Sequence, residues 1–252
     1  MARYQDPFKP KPGETFSKRQ VDRAGETLRE FYRWQPGTEL HLRLSEVSSA
    51  FATVTWWRTL HAHPLSKVAT NLRYHVVREG ALVDGRVSVT QRLKRTVTIG
   101  DKLTRELTMD VTQMQDVGGV RACMPSLEQV HAVSRRLRKS WTIVRTRDYI
   151  ADPKPSGYRA LHHIVRRDGR FIEVQLRTTL QDEWANQVED DGHETGVGLK
   201  FGRGSDAANA YYDLVSRTFA LVEHHREIPE ALVKELQIAY ERIKDHLPGE
   251  SG

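Results

Sequence analysis

Cysteine is almost absent from the sequence, which contains Cys123 and no second cysteine. This absence excludes an intramolecular disulfide and any metal site built on several cysteines. Cys123 lies in the β-patterned run VRACM, a setting that favours a buried structural thiol over a reactive one.

Long apolar segments are absent as well. The sequence has no run of about 18 apolar residues, so we expect no transmembrane helix and no membrane partner. The N-terminal residues MARYQDPFKPKPGE lack the apolar core of a signal peptide. We therefore expect a cytoplasmic protein.

The motifs of several common phosphate-binding and catalytic sites are missing. The sequence has no GxxxxGK[ST] P-loop and no HRD or DFG kinase motif, which excludes those two phosphate-binding folds. No Ser–His arrangement or His pair supports covalent catalysis or a zinc site.

The composition is otherwise that of a soluble globular protein, with 38% hydrophobic and 29% charged residues. Lys and Arg total 39 against 33 Asp and Glu, which gives a formal net charge of +6 and a pI of about 9.5. The cationic surplus favours polyanionic partners such as nucleotides or nucleic acid.

Hydrophobic periodicity predicts helices at both ends of the chain and a β-rich centre. Helical spacing covers residues 17–36, 38–61, a short segment at 66–77, 205–226 and 229–246. The centre follows the order β-α-β-α-β-β-β, so we predict an α+β fold with a mixed five-stranded sheet flanked by helices. The predicted regions are a flexible tail at 1–14, a helical region at 15–80, a core at 81–204 and C-terminal helices at 205–252.

Local signals predict where several of these elements begin and turn. Ser17, Thr98 and Ser126 each precede or open a helical pattern as N-caps. Asp168-Gly169 is the dipeptide most typical of a two-residue type I′ hairpin, and Asp84-Gly85 is a second candidate. The segment 189–204 is predicted to be a loop because of its glycines, and which of its Glu189, His193 or Lys200 enters a site is left open.

The segment from Arg147 to Thr178 is predicted to form a three-strand meander. In its last strand Ile172, Val174 and Leu176 alternate with polar residues on the opposite face. That opposite face carries Phe171, Glu173, Gln175 and Arg177. Because unpaired charge on a central strand is costly, this face is expected to be the floor of an active site.

A cluster of cations marks the junction between a strand and a helix in the run RLKRTVTIGDKLTRE. Arg92 and Lys94 come at the end of the strand, and Lys102 and Arg105 lie three residues apart on the helix that follows. Because both the strand and the helix contribute cations to this junction, we predict a phosphate-binding site there.

Two separated carboxylates accompany these cations. Asp116 stands just before Gly118-Gly119 at the entrance of a strand, and Glu173 lies on the polar face described above. Carboxylates hold Mg²⁺ through one or two oxygens, while Lys and Arg neutralise phosphate charge. The set therefore predicts magnesium-dependent transfer of a phosphoryl or pyrophosphoryl group.

Four sequence blocks carry a resemblance to a known family. RLKRTVTIGDKL, QDVGGVRA, DYIADPKPSGYRALH and IEVQLRT resemble, in this order, the synthetase domain of RelA/SpoT-type (p)ppGpp synthetases. The resemblance covers about residues 87–202, and the chain is similar to small stand-alone alarmone synthetases and their toxin relatives. An HD-type His pair is missing from residues 1–80.

The resemblance implies roles for a donor set and an acceptor set of residues. For ATP it implies adenine stacking by Arg92 and Arg121, and phosphate contacts from Lys94, Thr98, Lys102 and Arg105. It implies that Asp116 binds Mg²⁺ and that Glu173 helps to hold the metal and activates the acceptor hydroxyl. The acceptor residues it implies are Tyr158 under the base, Lys154 and His162 near the phosphates, and Arg147, Gln175 and Arg177 in the wall.

The activity implied is transfer of the β,γ-pyrophosphate of ATP to the 3′-hydroxyl of GDP or GTP, giving (p)ppGpp and AMP. Toxin relatives modify the 3′ CCA end of tRNA or adenosine nucleotides, and Tyr158 does not distinguish these acceptors because stacking tolerates any base. An inactive nucleotide- or RNA-binding module is the alternative from another class. Growth inhibition, an antitoxin partner and a homo-oligomer are further expectations from the family.

Overall fold

The computed structural model describes residues 13–37, 39, 41–194 and 205–244. The chain forms two compact units that are each assembled from separate sequence segments. The first unit contains the described residues of Met1–Asn71, Thr90–Val120 and Ile164–Val174, and the second contains those of Leu72–Val89, Arg121–His163 and Gln175–Gly252. The four regions predicted from the sequence stay a prediction.

Helices and strands follow the predicted order. The helices are α1 Lys18–Arg33, α2 Leu44–Thr59, α3 Ala62–Arg78, α4 Thr96–Arg105, α5 Leu127–Ser140, α6 Thr179–Glu194, α7 Asp206–Glu223 and α8 Glu230–Ile243. The strands are β1 Ser88–Leu93, β2 Gly118–Met124, β3 Ile143–Asp148, β4 Leu161–Arg167 and β5 Arg170–Thr178. They form one five-stranded sheet in the order β1-β2-β5-β4-β3, which confirms the predicted α+β class.

The meander β3-β4-β5 is present as predicted, and β5 is the central strand. Asp168 and Gly169 both have positive φ, 48° and 75°, as a type I′ turn requires. On β5, Ile172, Val174 and Leu176 are buried while Glu173 and Gln175 are half-buried. The alternation is therefore correct at these positions.

Several helix boundaries differ from those predicted. Helix α2 begins at Leu44 and not at residue 38, because the Glu46 carboxylate accepts a hydrogen bond from the Arg43 N–H at 2.7 Å and caps the helix there. Helix α3 begins at Ala62, so Pro64 falls in a first turn, where its missing N–H costs nothing. Residues 38 and 40 lie outside the described residues.

Two further predictions near the candidate site are wrong in detail. Thr98 is not an N-cap, because α4 begins at Thr96 after Arg95. The predicted loop is wrong for residues 189–194, since α6 continues to Glu194 and the buried Asp191 in its last turn bonds to Gln187 and Tyr212. Residues 195–204, with Lys200, lie outside the described part of the chain, as do residues 1–12 of the predicted tail and 245–252 after α8.

Capping explains the helix starts that were predicted correctly. The Ser17 hydroxyl accepts from the Gln20 N–H, and the Gln20 side chain accepts from the Ser17 N–H, so α1 opens with a capping box. Ser126 caps α5 in the same way through the Gln129 N–H. At Asp84-Gly85 the chain turns through a single bridge between Val83 and Arg86, and the strand begins only at Ser88.

The core of the first unit lies between α1, α2 and α4. It includes Leu28, Val54, Trp57, Ile99 and Leu103, all buried. Burial of such side chains contributes roughly 1.5–3 kcal/mol each and holds α4 against the N-terminal helices.

The core of the second unit is aromatic. Tyr158, Trp184 and Tyr212 are buried together, and the Trp184 Nε1–H donates to the Tyr212 carbonyl at 2.8 Å. Helix α7 also reaches the turn before Tyr158, because the Ser216 hydroxyl donates to the Gly157 carbonyl at 2.5 Å. Among the described residues, no helix is both long and apolar enough to cross a membrane.

Candidate active site

The first unit positions Lys94 between three elements. Its N–H donates to the Val117 carbonyl at 2.8 Å, which joins the end of β1 to the segment before β2. Its carbonyl accepts from Arg58 Nε on α2 at 2.7 Å. The backbone of Lys94 is therefore held by hydrogen bonds at both its N–H and its carbonyl, which fixes the position from which the side chain extends.

Asp116 lies between two lysines. Its Oδ2 accepts from Lys94 Nζ at 3.1 Å, and its Oδ1 accepts from Lys102 Nζ at 2.9 Å. The three side chains are only 17–22% exposed, so water screens them weakly. An ammonium carries three donors, so each lysine can hold Asp116 and still contact a phosphate oxygen.

The other first-unit residues that were predicted to bind ATP lie on β1 and α4, the elements on either side of Lys94. Arg92 is exposed on β1. Thr98 is half-buried and is the third residue of α4. Arg105 forms an ion pair with Asp101 at 3.1 Å on its own helix. The sequence pattern did not single out Asp101, whose i, i+4 spacing to Arg105 was the available signal.

Glu173 is half-buried on β5, in the same unit as Asp116. Among the described residues, no group of three or more His, Cys, Asp or Glu side chains could hold a metal ion. Mg²⁺ is commonly bound by one or two carboxylates together with substrate phosphates and water. Asp116 and Glu173 offer the hard oxygen ligands that such binding needs, so the residues present fit Mg²⁺.

In the second unit Arg177 is the centre of a hydrogen-bond network. It is 1% exposed, and its Nη2 donates to Tyr158 Oη at 2.7 Å and to Gln175 Oε1 at 3.0 Å, while its Nη1 donates to Asp182 Oδ1 at 3.1 Å. Burial opposes the charge, but Tyr158 and Asp182 outweigh it and raise the pKa of Arg177. The guanidinium that the resemblance implies in the pocket wall is thus buried within this hydrogen-bond network.

Asp182 is a site residue that the sequence pattern did not reveal. Its Oδ1 also accepts from Arg121 Nη1 at 3.0 Å, so one carboxylate oxygen holds two arginines. It lies in the first turn of α6, directly after β5, and its contacts become visible only in three dimensions.

Cys123 belongs to the surroundings of the same carboxylate. Burial raises the pKa of its thiol to about 12, with a further contribution from the charge of Asp182 and a hydrogen bond to it. The thiol is therefore protonated at neutral pH and buried, in agreement with the structural role predicted for it.

Tyr158 is 3% exposed and lies in an aromatic cluster. Its ring makes edge-to-face contacts with Tyr149, His162 and Trp184, and its hydroxyl lies 2.8 Å from His162 Nε2. Lys154 Nζ lies 5.0 Å from the centre of the Tyr158 ring and 4.7 Å from that of Tyr149. Stacking of a base on Tyr158, as implied by the resemblance, would therefore require Lys154 to move.

Tyr149 is a second aromatic in this cluster that the sequence pattern did not assign to the site. It is half-buried, and its hydroxyl accepts from Arg147 Nη1 at 2.9 Å. The structure therefore brings together all the predicted acceptor residues of the second unit around two tyrosines. They are Arg147, Lys154, Tyr158, His162, Gln175 and Arg177.

Comparison with known sequences gives matches in this part of the chain. A family model described as the region found in RelA and SpoT proteins matches residues 91–192. The GTP pyrophosphokinase YjbM of Bacillus subtilis is 33% identical over 109 residues, which cover 38% of this chain and 52% of YjbM. The GTP pyrophosphokinase YwaC of the same organism is 27% identical over 150 residues, which cover 52% of this chain and 71% of YwaC.

The chain spans only part of the length of these relatives. It covers about half of YjbM, and 19% of a guanosine-3′,5′-bis(diphosphate) 3′-pyrophosphohydrolase of Borreliella burgdorferi, to which it is 29% identical over 127 residues. The sequence likeness thus concerns the region of the candidate site.

Solved structures show a similar fold. The small alarmone synthetase 1 of Bacillus subtilis, bound to its product pppGpp, has a TM-score of 0.56 and 23% identity, covering 68% of this chain and 94% of that one. A GTP pyrophosphokinase family protein of Streptococcus pneumoniae has a TM-score of 0.56 and 21% identity, covering 73% of this chain and 96% of that one. The sequence matches confirm the resemblance carried by the four sequence blocks, all of which lie within the matched residues 91–192.

Proposed function

We propose that the chain is an ATP-dependent pyrophosphokinase, which transfers the β,γ-pyrophosphate of ATP to the 3′-hydroxyl of GDP or GTP and forms (p)ppGpp and AMP. The observation that carries the proposal is the Asp116 carboxylate held between Lys94 and Lys102 inside the RelA/SpoT region. Such a site combines an oxygen ligand for Mg²⁺ with cations for a polyphosphate. The similar proteins YjbM and YwaC are named as GTP pyrophosphokinases, which agrees with this activity.

The donor residues bind and neutralise ATP. Lys94 and Lys102 contact the phosphates, with Arg105 and the Thr98 hydroxyl as further donors, and the guanidinium groups of Arg92 and Arg121 stack on adenine. Lys94 enters the site on a backbone fixed by Arg58 and Val117, so little freedom is lost when the phosphates bind.

The acceptor residues orient the second nucleotide. The half-buried Tyr149 provides aromatic surface for its base beside the buried Tyr158, and Lys154 leaves these rings for the phosphates when the base arrives. His162 is held toward this surface by its contact with the Tyr158 hydroxyl, and Arg177 and Gln175 fix Tyr158 from below.

The transfer itself forms one bond and breaks one. The acceptor 3′-oxygen bonds to the β-phosphorus of ATP, the bond from that phosphorus to the α,β-bridging oxygen breaks, and AMP leaves. The proton of the 3′-hydroxyl passes to the Glu173 carboxylate. Mg²⁺ held by Asp116 and Glu173 would supply charge stabilisation on the phosphate oxygens.

Acceptor labelling tests the proposal. The full chain is incubated with Mg²⁺ and γ-labelled ATP, together with GDP, GTP, excess ATP or deacylated tRNA in separate reactions. Label is expected in ppGpp or pppGpp. Label found in tRNA alone would refute the proposed acceptor, and label in no acceptor would refute the enzyme and favour the inactive binding module.

Two carboxylate variants test the proposed roles. Asp116→Asn and Glu173→Gln are each expected to lower the rate of transfer by at least about 100-fold, since charge stabilisation or proton transfer is lost. Asp168→Asn is the matched control, because Asp168 lies on the exposed hairpin and asparagine tolerates its positive φ. A rate in either active-site variant equal to that of the control would contradict the roles.

Growth inhibition follows from the same activity. Unrestrained production of (p)ppGpp would deplete GTP and ATP, so induced expression of the wild-type chain should slow growth. Asp116→Asn at the same expression level should not. Rescue of growth by a co-expressed protein would support the expected antitoxin. Measurement of the oligomeric state in solution would test the expected homo-oligomer.

A further inference from the structure

The two C-terminal helices border an open cavity that the proposed reaction does not use. It has a volume of about 500 Å³ and lies where α7 and α8 meet, in the second unit. Four cationic or potentially cationic side chains line it, namely Arg159, Arg217, His224 and Arg226. Glu235 is the acidic side chain in the lining.

Two of these cationic or potentially cationic side chains, Arg217 and His224, lie on the same face of α7. Arg217, Leu221 and His224 follow at i, i+4 and i+7 and so share one face of α7. Helix α7 ends at Glu223 with His224 as its C-cap, His225 then has a φ of 53°, and the Arg226 N–H donates back to the Leu221 carbonyl at 2.9 Å. This closing bond fixes the backbone of Arg226 at the mouth of the cavity.

Arg159 lacks one hydrogen-bond partner. Its Nη1 donates to the Ile150 carbonyl at 3.2 Å, but its buried Nε has no partner among the described residues. Burial lowers the pKa of Arg159, while the charges of Glu223 and Asp213 act in the opposite direction. A buried N–H without an acceptor is destabilising, and an anion that draws the Arg159 guanidinium toward the cavity would give it one.

The lining also contains apolar side chains. Leu221 and Leu232 contribute to the lining together with alanine and proline side chains. Among the described residues, α8 has no side chain capping its first N–H groups, which follow Pro229 beside the same cavity. Arginines and free helix N–H groups suit a phosphate, and the leucines suit an apolar group.

We propose that this cavity is a binding site for a phosphorylated small molecule that carries an apolar or ring moiety. Its phosphate contacts Arg159, Arg217 and Arg226, and its apolar part packs against Leu221 and Leu232. The site is separate from the residues proposed to bind ATP and the acceptor. Its existence does not depend on the proposed function.

Occupancy would act on the acceptor residues through Arg159. Arg159 follows Tyr158 directly, and its bond to Ile150 joins the two ends of the turn that contains Lys154. An anion that orders the Arg159 guanidinium therefore also orders this turn. This regulatory consequence rests on the proposed function, whereas binding itself does not.

Calorimetric titration tests binding on the full chain without turnover. The probes are inorganic pyrophosphate, AMP and adenosine at constant ionic strength. The double variant Arg217→Glu/Arg226→Glu should lose at least tenfold in affinity for the cavity-bound probe, and adenosine should bind weakly throughout. Both arginines are exposed, so the variant is expected to fold.

The control is Arg242→Glu, an exposed position of α8 that does not line the cavity. AMP is expected to bind more tightly than pyrophosphate, and tighter binding of pyrophosphate would refute the proposed contact of an apolar or ring moiety with Leu221 and Leu232. Amide hydrogen exchange should show ligand-dependent protection at residues 148–160 and 217–232. Equal affinities in the double variant and the wild type, or equal losses in the control, would overturn the proposal, whatever the labelling experiment shows.

Discussion

At the scale of single residues, Asp182 connects two side chains with different proposed partners. Its Oδ1 accepts from Arg121, proposed to stack on adenine, and from Arg177, which supports Tyr158. A loss of its charge would leave the buried Arg177 without the carboxylate that now faces it. Asp182 is thus a positioning residue for two guanidinium groups.

Asp182→Asn is predicted to lower the free energy of unfolding by about 2–4 kcal/mol, because breaking a buried ion pair leaves an uncompensated charge. It should also raise KM for ATP and for the acceptor more than it lowers kcat, since both arginines lose their orientation. Chemical denaturation and steady-state kinetics measure the two effects. Asp190→Asn, on an exposed position of α6, is the control.

If kcat falls while both KM values stay at their wild-type levels, Asp182 acts in the transfer step and not through the arginines. Restoration of the KM values by Asp182→Glu would support the positioning role, because a carboxylate would again face both guanidinium groups.

At the scale of elements, the turn before Tyr158 is pressed against α7. Gly157 has a φ of +84°, and a Cβ there would lie 3.0 Å from Ser216 Cβ and 3.1 Å from the Tyr212 carbonyl oxygen. Glycine is therefore required both by backbone conformation and by space.

Gly157→Ala is predicted to destabilise the protein by about 1–3 kcal/mol and to raise KM for the acceptor, because the turn must shift away from α7. Thermal unfolding and kinetics measure these effects. Gly169→Ala is the matched control, since Gly169 also has a positive φ, of 75°, but nothing within 4 Å of an added Cβ. An equal loss of stability in both variants would mean that conformation alone, and not contact with α7, is responsible.

Elements that are determined by neighbouring residues in the sequence were predicted better than elements that depend on contacts with distant residues. The hairpin at Asp168-Gly169 and the Ser17 cap are determined by adjacent residues, so the sequence pattern predicted them correctly. The end of α6 was predicted too early, because its last turn is stabilised by the bond between Asp191 and Tyr212, a residue of another helix.

The same distinction applies to the candidate site. The blocks of sequence supplied the candidate residues, whose roles stay a prediction, and the side chains of Lys94, Lys102 and Asp116 do meet. The burial of Tyr158 and Arg177, and the roles of Asp182 and Tyr149, depend on contacts between distant segments. Alternation along β5 placed Arg177 on the polar face but could not show that Asp182 and Tyr158 cover it.

At the scale of the whole molecule, each unit contains a buried histidine that favours the neutral form. Burial lowers the pKa of His61 in the first unit and of His163 in the second to about 4 each. His163 lies between the hydroxyls of Ser134 and Thr146, each at 2.9 Å, and His61 Nδ1 lies 3.0 Å from the Trp57 carbonyl.

The sign of the resulting pH dependence follows from linkage. The unfolded chain binds protons at these histidines below about pH 6.5, whereas the folded chain does so only near pH 4, so stability is lost as the pH falls through this window. Each histidine is expected to contribute about 3 kcal/mol to this loss. Denaturation at pH 7.5 and pH 4.5 measures it.

His163→Gln should reduce the difference in unfolding free energy between the two pH values, since glutamine can replace the hydrogen bonds without titrating. The exposed His41→Gln serves as the control. If His163→Gln shows the full wild-type pH dependence, His163 is not responsible for it.

The shared carboxylate of Asp182 also has a consequence for electroneutrality. Two guanidinium groups face one carboxylate, so Arg121, Arg177 and Asp182 together carry one uncompensated positive charge in a largely buried setting. A nucleotide bound beside Arg121 would bring negative charge toward these three side chains and balance their formal charge. Small anions can do the same less well, so chloride and sulfate should act as weak competitors of the nucleotide in proportion to their charge.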